Sequence, residues 1–197
     1  MSTSQIIALA IAALLFFWAV GAYNRLIRLR NEIANAFAQI DVQLKRRHDL
    51  IPNLVEVARK YLTHERETLE RVTAARAQAM AAADLARARP YQSGPIKSLG
   101  MAEGVLASAM GSLRAVIEAY PELKADETLR ELSEELTHTE NKVAFSRQLF
   151  NDATLDYNNA AHQFPTNLVA GIFGFRTAAM LQSTTSEAER APIKVAL

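Results

Sequence analysis

Residues Ile40–Leu54 read I-D-V-Q-L-K-R-R-H-D-L-I-P-N-L, and how this stretch divides decides the fold. Upstream, Ile33, Phe37, Ile40 and Leu44 recur at spacings of four, three and four, which is one face of a helix. Downstream, Pro52 has no N–H for an interior helical hydrogen bond and disfavours the helical region for Ile51. Proline is favoured at the first position of a helix. The stretch therefore reads as the close of one helix, a turn at His48–Ile51 and a second helix starting at Pro52. A single kinked helix is the alternative. Lys45, Arg46 and Arg47 lie just ahead of the expected turn.

Working back from this point, no proline or turn cluster separates the helical pattern from the N-terminus. Residues 1–24 carry no charged side chain, and Ile6–Ala22 is an apolar run at the short end of what spans a bilayer. A cleaved signal peptide would place positive charge before such a run, but here Arg25, Arg28 and Arg30 follow it. The order indicates a retained anchor contacting the lipid bilayer through Ile6–Ala22. The positive-inside rule places the N-terminus outside and the remainder in the cytoplasm of a bacterial inner membrane. Trp18 and Tyr23 suit an interfacial belt at the cytoplasmic end.

Forward from Pro52, the second helix carries Leu54, Ala58, Tyr61, Leu69, Val72, Ala75 and Ala79 towards a core and extends to about Ala86. Arg87–Ser98, with Pro90, Gly94 and Pro95, reads as the main loop. A third helix uses Leu99, Leu106, Leu113 and Tyr120 and stops before Pro121. Asp126 is a good N-cap for a long fourth helix that holds Leu129, Leu136, Val143, Phe150 and Tyr157 on one stripe and ends before Pro165. Leu168–Phe175 is apolar but too short to span a membrane, and Arg176–Leu197 reads as a loosely held tail. The fold class is all-α: an N-terminal transmembrane helix continuing into a long antiparallel up-down four-helix bundle. The expected organisation is an anchor over 1–24, a bundle over 25–175 and a flexible tail over 176–197.

Composition narrows the function classes. The 197 residues include no cysteine, which excludes disulfides, thiolate metal sites and a thiol nucleophile. A net charge of +1 gives no signal for nucleic acid. A bundle invites a carboxylate-bridged metal site, which needs two Glu-x-x-His pairs. This chain has one, Glu135–His138, and Tyr61 stands where a second pair would need its glutamate ahead of His64. No P-loop, dinucleotide or zinc-protease motif occurs in a usable context. The residues point to no catalytic group, no cofactor and no small-molecule substrate. Asn151, Asp152, Tyr157, Asn158 and Asn159 form the densest polar cluster and read as an inter-helix network or surface.

Three stretches resemble the LemA family. They are Tyr23–Leu54 with its run Q-I-D-V-Q-L-K-R-R-H-D-L-I-P-N-L, A-Y-P-E-L-K-A at Ala119–Ala125, and Glu140–Phe175 with E-N-K-V-A-F-S-R-Q-L-F-N-D and F-P-T-N-L-V-A-G-I-F-G-F. The resemblance implies one N-terminal spanning helix, a long antiparallel bundle and no assigned enzymatic activity. Some relatives are associated with magnetosome membranes, which suggests a membrane-organising role. Phe37 stands where the family often has tryptophan, and the ending A-P-I-K-V-A-L is only loosely like the family's.

In such a bundle, the turn after the first helix lies far from the membrane and residues Phe164–Phe175 return to it. Lys45, Arg46 and Arg47 should then meet Glu134–Glu140 on the fourth helix, with Glu140 in the same patch, and Arg28 and Arg30 should face Asp152 and Asp156. That patch reads as a register lock or, alternatively, a partner surface. Phe164, Leu168, Ile172, Phe173 and Phe175 either cap the bundle or enter the lipid interface. The expected function is a membrane-anchored interaction or scaffold protein engaging other membrane proteins or its own copies. Alternatives are a lipid-surface sensor and a tethered metalloenzyme.

Overall fold

The computed structural model describes residues 2–62 and 64–182, and every regular element among them is helical. Helix α1 (Thr3–Arg59) runs unbroken for 57 residues. It is followed by α2 (Arg66–Ala88), α3 (Ser93–Ala119), the short α4 (Pro121–Lys124), α5 (Glu127–His162) and α6 (Thr166–Phe173). Helices α1, α2, α3 and α5 alternate in direction, as expected for an up-down bundle. The pairing is uneven: α1 lies along α5 and α2 along α3, α1 also packs on α2, and α3 scarcely meets α5.

The division expected at Pro52 does not occur. Pro52 lies inside α1, and the turn falls later, between Arg59 and Arg66. Leu54 and Ala58 therefore belong to the first helix. Two observations explain why the proline is tolerated. Ile51, Leu54, Val55 and Ala58 are all buried around it, so leaving the helix there would forfeit that packing. The hydrogen bond Pro52 cannot make would have gone to the carbonyl of His48, four residues back. That carbonyl instead accepts the guanidinium Nε–H of Arg76 on α2 at 2.5 Å. The side chain of the neighbouring helix thus replaces the missing backbone donor and fixes how α2 sits along α1.

The other boundaries follow familiar physics. The connection before α3 is shorter than expected, because Gly94 and Pro95 fall within the first turn of α3. Amides there have no intrahelical acceptor, so the proline costs nothing. Asp126 caps α5 as expected, accepting the Leu129 N–H at 2.9 Å. The same carboxylate accepts the Tyr61 hydroxyl at 2.9 Å and so ties the far turn to the start of α5.

Two apolar cores fill the bundle. The proximal one gathers Leu26, Ile33, Phe37, Ile40 and Leu44 of α1 with Ile96 and Leu99 of α3 and Phe150 and Tyr157 of α5. The Phe37 and Phe150 rings meet edge-on at 5.8 Å between centroids. The distal core gathers Ile51, Leu54 and Ala58 with Val72, Leu106, Leu113 and Leu136. Between the two lies a layer of charge built from Arg47, His48 and Glu103.

The Pro52–Arg76 relationship is measurable as a coupling. Arg76→Met should cost about 1–3 kcal/mol, the penalty for an unsatisfied buried carbonyl. In a Pro52→Ala background, where alanine restores the backbone donor, the same change should cost less than half as much. Urea unfolding of the four-member cycle in detergent reads the difference; equal costs in both backgrounds would refute the substitution of side chain for backbone.

Candidate functional site

Lys45, Arg46 and Arg47 do not form one patch. They stand on successive positions of a continuous helix and point to three different surroundings. Lys45 is exposed. Arg46 reaches α5 and donates to Glu135, with Nη2 at 2.5 Å and Nε at 3.2 Å. This bond lies in the expected stretch of α5. Arg47 turns inward to α3 and pairs with Glu103, the two side chains being 9% and 6% exposed. Glu140 is engaged by Arg114 of α3 at 3.0 Å rather than by the basic run. Asp41 accepts two bonds from Arg87 of α2, at 2.7 and 2.9 Å. The expectation of a basic tip at a turn is therefore corrected: the run lies mid-helix, and Arg46 and Arg47 tie α1 separately to α5 and α3.

His48, expected in a turn, is buried in the same layer, with Nε2 2.9 Å from Glu103 Oε1. Burial and the adjacent Arg47 and Arg76 cations push its pKa down to about 4, against smaller opposing effects of Asp49 and Asp41. The Glu103 carboxylate already offsets Arg47, so a second positive charge in this enclosed space would be uncompensated. His48 is thus neutral, and its Nε2–H donates to Glu103. Arg47 is itself shifted down by burial, with Glu140 opposing and Arg114 reinforcing that shift. Among the described residues, no group of three or more His, Asp or Glu side chains could hold a metal. Of the lone Glu-x-x-His pair, His138 is exposed and Glu135 is taken by Arg46.

The membrane-proximal end is built differently. The N-terminal part of α1 holds a stretch long and apolar enough to cross a bilayer, and almost none of it is buried. Helix α6 packs beside the start of the α1 core stripe and buries Thr166, Val169 and Ala170. Leu168, Ile172 (79%) and Phe173 of the helix are exposed, as is Phe164 (76%) just before it. The Tyr23 ring meets Phe173 at 4.9 Å and Phe175 at 5.6 Å. One face of α6 packs on the proximal core and the other is exposed and apolar. Arg28 pairs with Glu32 along α1 at 3.8 Å, and Arg30 lies 3.5 Å over the Tyr91 ring, so neither meets Asp152 or Asp156 as expected.

After α6 the chain does not drift away. Gly174 ends the helix in the left-handed conformation (φ 70°), and Arg176–Gln182 runs extended along α5. Asn158 accepts the N–H of Ala178 at 2.9 Å and donates to its carbonyl at 3.0 Å. Asn151 does the same for Leu181, at 2.9 and 3.1 Å. The Tyr157 hydroxyl donates to the Arg176 carbonyl at 2.9 Å. The asparagine-rich cluster is therefore a docking edge for the chain's own backbone, and the expected loose tail is held as far as Gln182. The rest of that tail, 183–197, lies outside the described residues.

A helical bundle whose longest helix continues into an exposed apolar stretch of spanning length is a membrane-associated helical protein. The LemA family model matches residues 36–196, and the chain belongs to the LemA family. It is 29% identical over 178 residues to protein LemA of Metamycoplasma hominis, covering 90% of this chain and 76% of that protein. It is also similar to magnetosome protein MamQ 2 of Paramagnetospirillum magneticum, at 25% over 81% of this chain. MamQ of Magnetospirillum gryphiswaldense matches at 24% over 78%. The chain spans a little under two thirds of those magnetosome proteins, 64% and 62% respectively.

Two outcomes are expected from the charged layer. Glu103→Gln leaves Arg47 buried without a counter-charge and should cost about 3–5 kcal/mol in urea unfolding. For His48, whose folded pKa lies below the usual 6.5, the stabilisation is complete above that value and is lost as pH falls towards 4. The loss should approach roughly 3 kcal/mol. A His48→Gln variant should show a correspondingly flatter dependence over that window; an unchanged profile would assign the acid sensitivity elsewhere.

Proposed function

We propose that this protein is a single-pass inner-membrane protein, its N-terminus outside and its bundle in the cytoplasm, serving as a non-catalytic interaction or assembly module. The observation that carries this reading is the continuity of α1. The exposed apolar stretch and the buried stripe of the bundle belong to one helix, so the bundle is held at a fixed distance from the bilayer. From Arg25 to Arg59 the helix rises about 51 Å, which carries the far turn well clear of the lipid surface. Arg25, Arg28 and Arg30 flank the apolar run on the bundle side and support the cytoplasmic orientation. Membership in a family with magnetosome relatives supports a membrane role. The partners are other membrane proteins or further copies of the chain.

The chain has no cysteine, so orientation can be tested with single introduced ones. In intact spheroplasts, an impermeant maleimide should label Ser2→Cys, whereas Gln78→Cys should react only after permeabilisation. The opposite pattern would overturn the topology.

A second reading, lipid-surface recognition, is favoured by α6. Leu168 and Ile172 stand four apart on α6 and are exposed, as is Phe164 just before the helix, and Phe173 of the same helix meets the Tyr23 ring. An apolar stripe at this level suits the headgroup–acyl boundary. The sequence has one tryptophan, so Trp18→Phe with Ile172→Trp places a sole reporter on this face. Lipids brominated near the headgroup should quench it strongly in reconstituted full-length protein. Emission unaffected by bromination would place the stripe in water.

A further inference from the structure

The extended segment Arg176–Gln182 closes a seam that the helices leave open. Helices α3 and α5 scarcely touch, and Leu181 fills the space between them, 3.6 Å from where a Cβ on Gly100 of α3 would stand. Ala178 and Leu181 are its two buried anchors, while Met180 is exposed. All of its hydrogen bonds to Asn151 and Asn158 use main-chain atoms, N–H and carbonyl of the same residue in each case.

The register explains why two asparagines suffice. Asn151 and Asn158 are seven residues apart, two helical turns or about 10.5 Å. Ala178 and Leu181 are three residues apart, about 10 Å in extended chain. The repeats match, with the segment running antiparallel to α5. A side-chain amide presents one donor and one acceptor, as a neighbouring strand would. The edge therefore reads an extended backbone, with side-chain selection for a small residue followed three positions later by leucine and for Thr177, whose hydroxyl lies 3.2 Å from His162 Nε2.

We infer that this edge is an exchangeable docking site, and that its second occupant is the Arg176–Gln182 segment of another copy of the chain. Three observations support the exchange. The second copy's segment has identical chemistry and fits without alteration. The gain from seven hydrogen bonds and two apolar anchors is of the same order as the cost of ordering seven residues, so release is accessible. Gly174, in the left-handed conformation, is the joint between α6 and the segment. The joint is short, so exchange requires two copies to abut at their α6 ends, each lending its segment to the other in a closed symmetric pair. This inference rests on the proposed anchor, which would hold every copy's edge and segment at one height above the bilayer and raise their effective concentration.

The test uses full-length protein in membranes. Two differently tagged copies are co-expressed, one carrying Gln148→Cys on α5 and the other Met180→Cys on the segment, two exposed positions that line one groove, and treated with a short bismaleimide. A crosslink between the two tags is expected, and its yield should fall about tenfold or more when Asn151→Ala and Asn158→Ala are added. A single chain carrying both cysteines serves as the reference for docking within one copy, and thermal melting checks that each variant folds. Crosslinking confined to the single chain would overturn the exchange, as would a crosslink between copies indifferent to the asparagines, or none in either arrangement. Fractionation of the same samples reports the anchor separately: failure of the exchange with the protein still in the membrane leaves the anchoring intact.

Discussion

The carbonyl of His48 is the constraint around which the bundle is arranged. Pro52 removes its backbone donor, and a carbonyl left unpaired at a partly buried position is costly. Arg76 supplies the missing hydrogen bond and in doing so sets α2 against α1. The same turn of α1 carries Arg47 and His48 to Glu103 on α3, and Arg46 one residue earlier reaches Glu135 on α5. A stretch of three residues thus contacts every other long helix. Apolar packing above and below it supplies most of the burial but is tolerant of sliding. A charged pair with one acceptable partner is not. Replacing such a layer with apolar groups could be neutral or favourable for stability, so its role here is to specify alignment.

Much of the architecture was legible from spacing alone, including the four long helices, the Asp126 cap and the apolar stripe of α5. The misplaced turn at Pro52 shows what local rules omit. The stripe Ile33, Phe37, Ile40, Leu44 continues at the same three–four spacing through Arg47, Ile51, Leu54 and Ala58. That continuity argued for one helix, whereas the proline argued for two. The proline rule lost because a residue 24 positions away, Arg76, supplied the hydrogen bond, and no local window contains it. The same periodicity would have revealed the charged layer. Arg47 lies on the stripe of α1, and Glu103 lies on the corresponding stripe Leu99, Leu106, Met110, Leu113 of α3. Opposite charges on two apolar stripes are the sequence signature of a buried pair.

The docked segment was hidden for a different reason. Arg176–Gln182 has no periodicity and no motif, and its hydrogen bonds to Asn151, Tyr157 and Asn158 all use its main-chain atoms. Only Asn151 and Asn158 carry a sequence signal, as two asparagines exactly two turns apart on the edge of a long helix. The asparagine-rich cluster stood out in composition, but its role as the receiver of an extended backbone required seeing where the chain returns after α6.

The unbroken course of α1 has a mechanical consequence. A spanning helix adapts to bilayer thickness by tilting. With no joint between the apolar stretch and Arg59, a tilt of about 10° would swing the far turn sideways by roughly 9 Å over its 51 Å rise. If the helix spans the bilayer as proposed, it would be a lever pivoting near Tyr23 and α6. Small changes in the lipid would become displacements at the opposite end large enough to open or close a contact, and the knot at Pro52 keeps the lever stiff where a proline would otherwise let it bend.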